Sequence, residues 1–238
     1  MYKVRVFRAI EDPISCEKYI EGHTKVLKDY GVPMVTSGKP SWQYNPNVYC
    51  IVAELEENIK MVGGIRLQIA DGKIPLPVED AISSMDKGIH DMVKEYFDEG
   101  VGELCGLWNS KEIAGVGISF ILTRTAISIV NQLGFKTLMG ICAEYSLKMF
   151  TNVGFVIDKS LGNNGEFPYP TDEYITRVLG IMNAYTLETA QPYDKERMLG
   201  LRNNLIQQRE EVGKKGLFTV NYNLELNITK NNNVIQAN

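Results

Sequence analysis

The sequence predicts an α/β protein in which helices layer against a sheet, on three observations. The first is the order strand, glycine-rich elbow, helix, strand, helix, strand over residues 102–155. Gly102-Glu103-Leu104-Cys105-Gly106-Leu107-Trp108 is apolar and extended, and residues 109–112 form a polar elbow. Ala114-Gly115-Val116-Gly117 opens an apolar-periodic segment that runs to Leu133. An apolar run at 135–142, a short helical pattern at 144–153 and Gly154-Phe155 lead into Val156-Ile157. The second observation is a pair of apolar runs, 48–55 and 59–70, around the polar turn Glu56-Glu57-Asn58, which signals a hairpin. The third is Asp12-Pro13, a cap followed by proline at the first helical position, ahead of the stripe Cys16, Tyr19/Ile20, His23, Leu27, Tyr30.

The remaining elements follow in chain order. Residues 3–9 alternate like a first strand, and Gly31-Val32-Pro33 stops the first helix. His23 lies on the apolar stripe and reads as a packed histidine. Residues 33–46, rich in proline, glycine, serine and asparagine, form a loop. Gly63-Gly64 sits inside the second hairpin arm and implies a bulge or a close approach by another group. Residues 78–97 are helical with a break near Lys87-Gly88, and Asn163-Asn164-Gly165 makes a turn. A last sheet strand is expected at 174–182, a charged amphipathic helix at 194–212, and an extra strand at 217–226 that closes an edge or pairs with a partner. These elements are expected to make a single domain over 1–229, with a disordered tail at 230–238.

Composition bounds the function. The 238 residues suffice for one sizeable core, and 44% hydrophobic with 23% charged residues is ordinary for a globular chain. A net charge of −4 argues against a general nucleic-acid binder, which needs a basic face. No apolar run approaches the ~18 residues of a membrane span, and the alternating start Met1-Tyr2-Lys3-Val4-Arg5-Val6 has no signal-peptide core. Cys16, Cys50, Cys105 and Cys142 are scattered and read as buried thiols in a reducing compartment, so a cytoplasmic protein is expected. With His23 and His90 the only histidines, no metal site and no Cys-His dyad is expected.

A strand feeding a helix through a glycine elbow aims unpartnered backbone N–H groups at one spot, where the helix dipole is positive and an anion is held. A dinucleotide fingerprint would need a third glycine where Phe120 stands, and a P-loop would need Gly-Lys-Ser/Thr. What remains, Glu112-Ile113-Ala114-Gly115-Val116-Gly117, resembles the pyrophosphate-binding loop of the GNAT acyltransferase superfamily, and Gly154-Phe155 resembles that family's helix ending. The resemblance implies the GNAT fold: a mostly antiparallel mixed sheet with helices on both faces, its fourth and fifth strands splayed to admit the pantetheine arm of an acyl-CoA or acyl carrier protein thioester. It implies donor binding by Leu107, Trp108, Lys111, Ile113, Ala114, Gly115, Val116, Gly117 and Ile118. The break at Gly106 makes the Leu107 N–H the candidate oxyanion donor. Glu112 stands where that family carries arginine or glutamine, and Lys111 is the expected compensation.

Two further stretches, Gly63-Gly64-Ile65-Arg66-Leu67 and Glu103-Leu104-Cys105-Gly106, resemble the Gly-x-x-Arg-Leu and Glu-Leu-Ser-Arg signatures of the N-acyl-homoserine-lactone synthases and the N-acyl amino acid synthases. The resemblance implies that Arg66 organises the pocket and that Glu103 orients it or draws the amine proton through water. An ordinary ion pair on adjacent strands is the alternative for both. Trp42 and Tyr44, just before the second strand, become candidate acceptor-pocket walls or simple loop packing, and Tyr145 a weakly placed substrate contact. The departures are Gly106 in place of the final arginine, Asn45 and Asn47 in place of paired aspartates, and Phe150 in place of a general-acid tyrosine. Val101, Leu104, Leu107, Ile121, Leu138 and Ile141 would line a fatty-acyl tunnel or fill an ordinary core. The sequence reading is an N-acyltransferase with a small-molecule amine acceptor and acyl carrier protein or coenzyme A as carrier of the acyl group. Its alternatives are an acetyl-CoA-dependent N-acetyltransferase and a non-catalytic thioester-binding or partner-binding module.

Overall fold

The computed structural model describes residues 1–32 and 35–226; the expected tail, 230–238, lies outside them. The first strand is β1 (Tyr2–Arg8), followed by helix α1 (Pro13–Asp29). The Asp12 carboxylate accepts from the Ser15 N–H at 3.0 Å and Pro13 starts the helix, so the expected cap is formed. The loop contains short 3-10 turns at Thr36–Gly38 and Pro40–Tyr44. The hairpin is β2 (Val48–Leu55) and β3 (Lys60–Ile69), and the broken helical segment is α2 (Pro77–Ile82) and α3 (Gly88–Glu95).

Strand β4 (Val101–Asn109) enters the elbow and helix α4 (Ile118–Ser128) leaves it. The helix expected to reach Leu133 is divided at Ile129, where α5 (Val130–Leu133) begins. Then come β5 (Thr137–Ala143), α6 (Glu144–Asn152), β6 (Val156–Ile157), β7 (Glu166–Pro168) and β8 (Ile175–Ile181).

The helix expected over 194–212 is half wrong. Helix α7 (Pro192–Asn203) ends at Asn204, which is extended (φ −142°, ψ 99°), and β9 (Ile206–Gly213) forms an antiparallel hairpin with β10 (Gly216–Asn223). The strand wins because Glu211 turns inward beneath it. There Glu211 accepts from the Tyr222 hydroxyl at 2.9 Å, pairs with Arg197 and lies 3.9 Å from Arg124 on α4. Buried charge of this kind persists only where it is paired and hydrogen-bonded.

The described strands form one sheet in the order β6-β8-β5-β4-β3-β2-β1-β10-β9, with β7 on β8. Strand β10 runs parallel to β1, so the extra strand does close that edge, and β9 becomes the outer strand. Side-chain alternation divides the core. Tyr49, Ile51, Ala53, Ile65, Leu67 and Leu104 face α4 and α7, whereas Val48, Cys50 and Val52 pack with Tyr19 of α1 and Val101 packs with α2 and α3.

Candidate active site

The centre of the site is a break in the ladder between β3 and β4. Gly64 pairs with Trp108 and Arg66 with Cys105, so Ile65 alone opposes Gly106 and Leu107. Gly106 takes φ +61°, a conformation costly for other residues, and the bulge shifts the side-chain phase. Cys105, which shares a face with Cys50 through their common partner Arg66, and Trp108 therefore both sit on the α1 face, and Leu107 packs toward α4. Tyr19 pins the bulge by donating its hydroxyl hydrogen to the Gly106 carbonyl. A Cβ at Gly106 would lie 3.0 Å from the Tyr19 hydroxyl and 3.2 Å from Arg66 Nε. An arginine at this position would be strained by the positive φ and would press on Tyr19 and on Arg66 from the neighbouring strand. The predicted close approach at Gly64 is also real, and it is the Tyr19 ring that fills it.

Arg66 is fully buried, with its guanidinium carbon 4.2 Å from the centre of the Trp42 ring. Tyr19 stands edge-on to both Trp42 and Trp108, at 5.4 and 5.8 Å. Burial disfavours the guanidinium charge, but the potentials of Cys105, Tyr19, Cys50 and Glu103 outweigh it and raise its pKa. Together Trp42, Tyr44, Arg66, Gln68, Lys39 and Asp80 line a cavity of about 330 Å³. Trp42 forms its buried wall and Tyr44, 77% exposed, its rim. Lys39 and Asp80 face each other at 3.6 Å, leaving both signs of charge at the cavity. Tyr145 is 88% exposed at the start of α6 and is not among the residues lining this cavity.

Glu103 is 1% exposed. Its Oε2 accepts from the Val78 N–H at 2.7 Å, while Oε1 has no hydrogen-bond partner among the described residues. Burial pushes its pKa up to about 8, and the Val78 N–H and Arg66 only partly oppose this. The ordinary ion pair that is the alternative reading of Arg66 and Glu103 is not made: among the described residues, Glu103 forms no ion pair with Arg66. The Glu103 carboxylate turns instead to the α2 backbone, and on the ladder it opposes Gln68 while Arg66 opposes Cys105.

At the elbow, Gly115 (φ +80°) and Gly117 (φ +109°) turn the chain into α4, and the Ser119 hydroxyl bonds Asn109 Oδ1 at 2.5 Å. Ile113 and Ile118 point into the core, so they offer only main chain to a ligand. The same holds for Trp108, whose buried indole packs against Tyr19. Lys111 turns away from the elbow. Its Nζ donates to the Asp29 carbonyl at 2.7 Å and stacks 4.5 Å from the Tyr30 ring, drawn by the carbonyl end of α1. Glu112 is neutralised by Lys60 at 2.7 Å. A second cavity, about 510 Å³, lies against the elbow between Asn109, Gly115, Gly117, Ser119, Arg124 and Lys214.

Strands β4 and β5 pair only where Val101–Glu103 meets Thr137–Met139 and separate beyond that point, which is the expected splay. The six expected tunnel residues are split across the sheet. Leu104, Leu107, Ile121 and Leu138 pack on the α4 side, Val101 and Ile141 on the α2–α3 side. Burial pushes the Cys105 thiol up to about 12, which disfavours the thiolate form, and lowers His23 to about 4. Phe150 packs edge-on against Phe155 at 5.3 Å and donates no proton. Tyr19, Gln68, Lys39 and Asp80 carry no local sequence signal of a site; Tyr19 stands only on the helical stripe, as core.

No family model matches the sequence, and no curated protein matches it. Among solved structures the chain is similar to FeeM, an N-acyl amino acid synthase from uncultured soil microbes, with a TM-score of 0.60 at 8% identity over 82% of this chain and 98% of that one. It is similar to BjaI, a CoA-dependent acyl-homoserine lactone synthase solved with SAM and isopentyl-CoA, with a TM-score of 0.53 at 12% identity over 85% and 90% of the two chains. It is also similar to Escherichia coli ElaA, with a TM-score of 0.51 at 9% identity over 76% and 99%. At these identities the likeness is one of fold. The chain has the GNAT fold, in an arrangement it shares with an N-acyl amino acid synthase and an acyl-homoserine lactone synthase.

Proposed function

We propose that this protein is an N-acyltransferase that moves an acyl group from a pantetheine thioester, on acyl carrier protein or coenzyme A, to the amino group of a small molecule such as an amino acid. The observation that carries the reading is the open side of β4: beyond Glu103 it leaves β5, and the bulge at Gly106-Leu107 falls in that unpaired stretch. A pantetheine arm would hydrogen-bond there as an added strand, with the thioester carbonyl toward the Leu107 N–H. The acceptor would lie in the cavity of Trp42, Tyr44 and Arg66. Its neutral amine would attack the carbonyl carbon, the Leu107 N–H would stabilise the oxyanion, and Glu103 would take the amine proton through water as the thiolate leaves. A carboxyl with a pKa of about 8 is a stronger base than an ordinary one, as this role demands.

The acetyl-transfer reading keeps the same machinery and shortens the donor, and the division of the six apolar residues between two faces favours it. A donor series from acetyl to about sixteen carbons, measured as kcat/KM, separates the two. A fatty-acyl site predicts a rise of roughly fourfold per methylene, at ~0.8 kcal/mol each, up to a plateau. An optimum at acetyl overturns the fatty-acyl reading.

A further inference from the structure

We propose that the turn of the β9–β10 hairpin, Gly213-Lys214-Lys215-Gly216, supplies the cationic charge that holds the donor's phosphate at the elbow. This rests on the reading of the elbow as the donor's phosphate site. The hairpin reaches the elbow by direct packing. Gly213 lies so close to the Val116 carbonyl that a Cβ there would overlap it, and a Cβ on Gly117 would sit 3.5 Å from Gly213 Cα. A Cβ on Gly115 would meet Lys215 Cε at 3.7 Å, and Lys214 lines the 510 Å³ cavity with Gly115, Gly117 and Ser119.

The charges around this cavity leave the two lysines as the cations to spare. Arg124 is committed to Asp194 at 2.6 Å, Glu112 to Lys60, and Lys111 to the end of α1. Lys214 and Lys215 are exposed and make no ion pair among the described residues. The turn is held in place from below, because β10 pairs with β1 and Glu211 ties β9 to Arg197. Two ammonium groups at a glycine elbow suit a phosphate, which takes each as a point charge beside the backbone N–H groups. The phosphate that joins pantetheine to its carrier is common to coenzyme A and to holo-acyl carrier protein.

The test is calorimetric titration of the parent, Lys214→Gln/Lys215→Gln and Gly115→Val with coenzyme A and with phosphate-free pantetheine, at low and high salt. The double variant is expected to keep the parent's melting temperature, bind coenzyme A about tenfold more weakly at low salt and less so at high salt, and bind pantetheine unchanged. Lys214→Arg/Lys215→Arg is expected to retain affinity. The same loss with holo-acyl carrier protein would identify the shared phosphate as the group held; a loss with coenzyme A alone would identify its phosphoadenosine end; both support the hairpin's role. Unchanged coenzyme A affinity in the double variant, with loss in Gly115→Val, would overturn the hairpin's role and leave the elbow's assignment standing. Unchanged affinity in both variants would overturn the elbow reading and the hairpin with it.

Discussion

Glu103→Gln is expected to lower turnover by roughly 10²–10⁴-fold, the range for a lost general base, without unfolding the protein. Glutamine keeps the length of the side chain and an oxygen that can accept from the Val78 N–H, but it has no site for the amine proton. The pH dependence separates chemistry from architecture. With a folded-state pKa of about 8, against an ordinary carboxyl value of 4.5, the folded state binds this proton more tightly than the unfolded state. Stability from this group is therefore full below about pH 4.5 and is lost as pH rises through about 8. The parent's melting temperature should fall across that window while its rate rises, and both trends should flatten in Glu103→Gln. Thermal melts and kcat profiles from pH 5 to 9 check this. An unchanged rate would reduce Glu103 to a partner of the α2 backbone.

The second large effect belongs to Gly115→Val, which should weaken coenzyme A binding on the order of 10²-fold. The φ of +80° makes valine strained there, at about 1–2 kcal/mol. Among the described residues other than its two chain neighbours, only Lys215 Cε lies within 4 Å of the position of its Cβ, at 3.7 Å, so the space the valine would take is space open to a ligand. Losing one or two backbone bonds to a charged phosphate, at ~1.5–3 kcal/mol each, gives the stated factor. A folded Gly115→Val protein with parental affinity would contradict the phosphate-loop assignment.

Local signals carried most of the fold. The Asp12-Pro13 cap, the 48–70 hairpin, the glycine elbow and the break at Gly106 were legible because each is written in adjacent residues. Contacts across the chain were not. Nothing near Tyr19 announces that its hydroxyl holds the Gly106 carbonyl, 87 positions on. Lys111 looked like the elbow's cation by adjacency, but the carbonyl end of α1 is the stronger attraction. Residues 206–213 are charged enough to suit an exposed helix face, and only pairing with β10 and the buried partners of Glu211 make them a strand. The split of the apolar residues was available from strand parity. Val101 and Leu104 are three apart and must face opposite ways, as must Leu138 and Ile141, whereas Leu107 rejoins Leu104 only through the bulge.

The most direct measurement is mass-spectrometric detection of an N-acyl product when the parent is incubated with acyl-coenzyme A or acyl carrier protein thioesters and a panel of amino acids and other small amines. Amine-dependent product with matching release of free thiol, reduced by at least about 10²-fold in Glu103→Gln, is the predicted result. Thioester binding with no N-acyl product from any amine in the panel would contradict acyl transfer and leave a thioester-binding module.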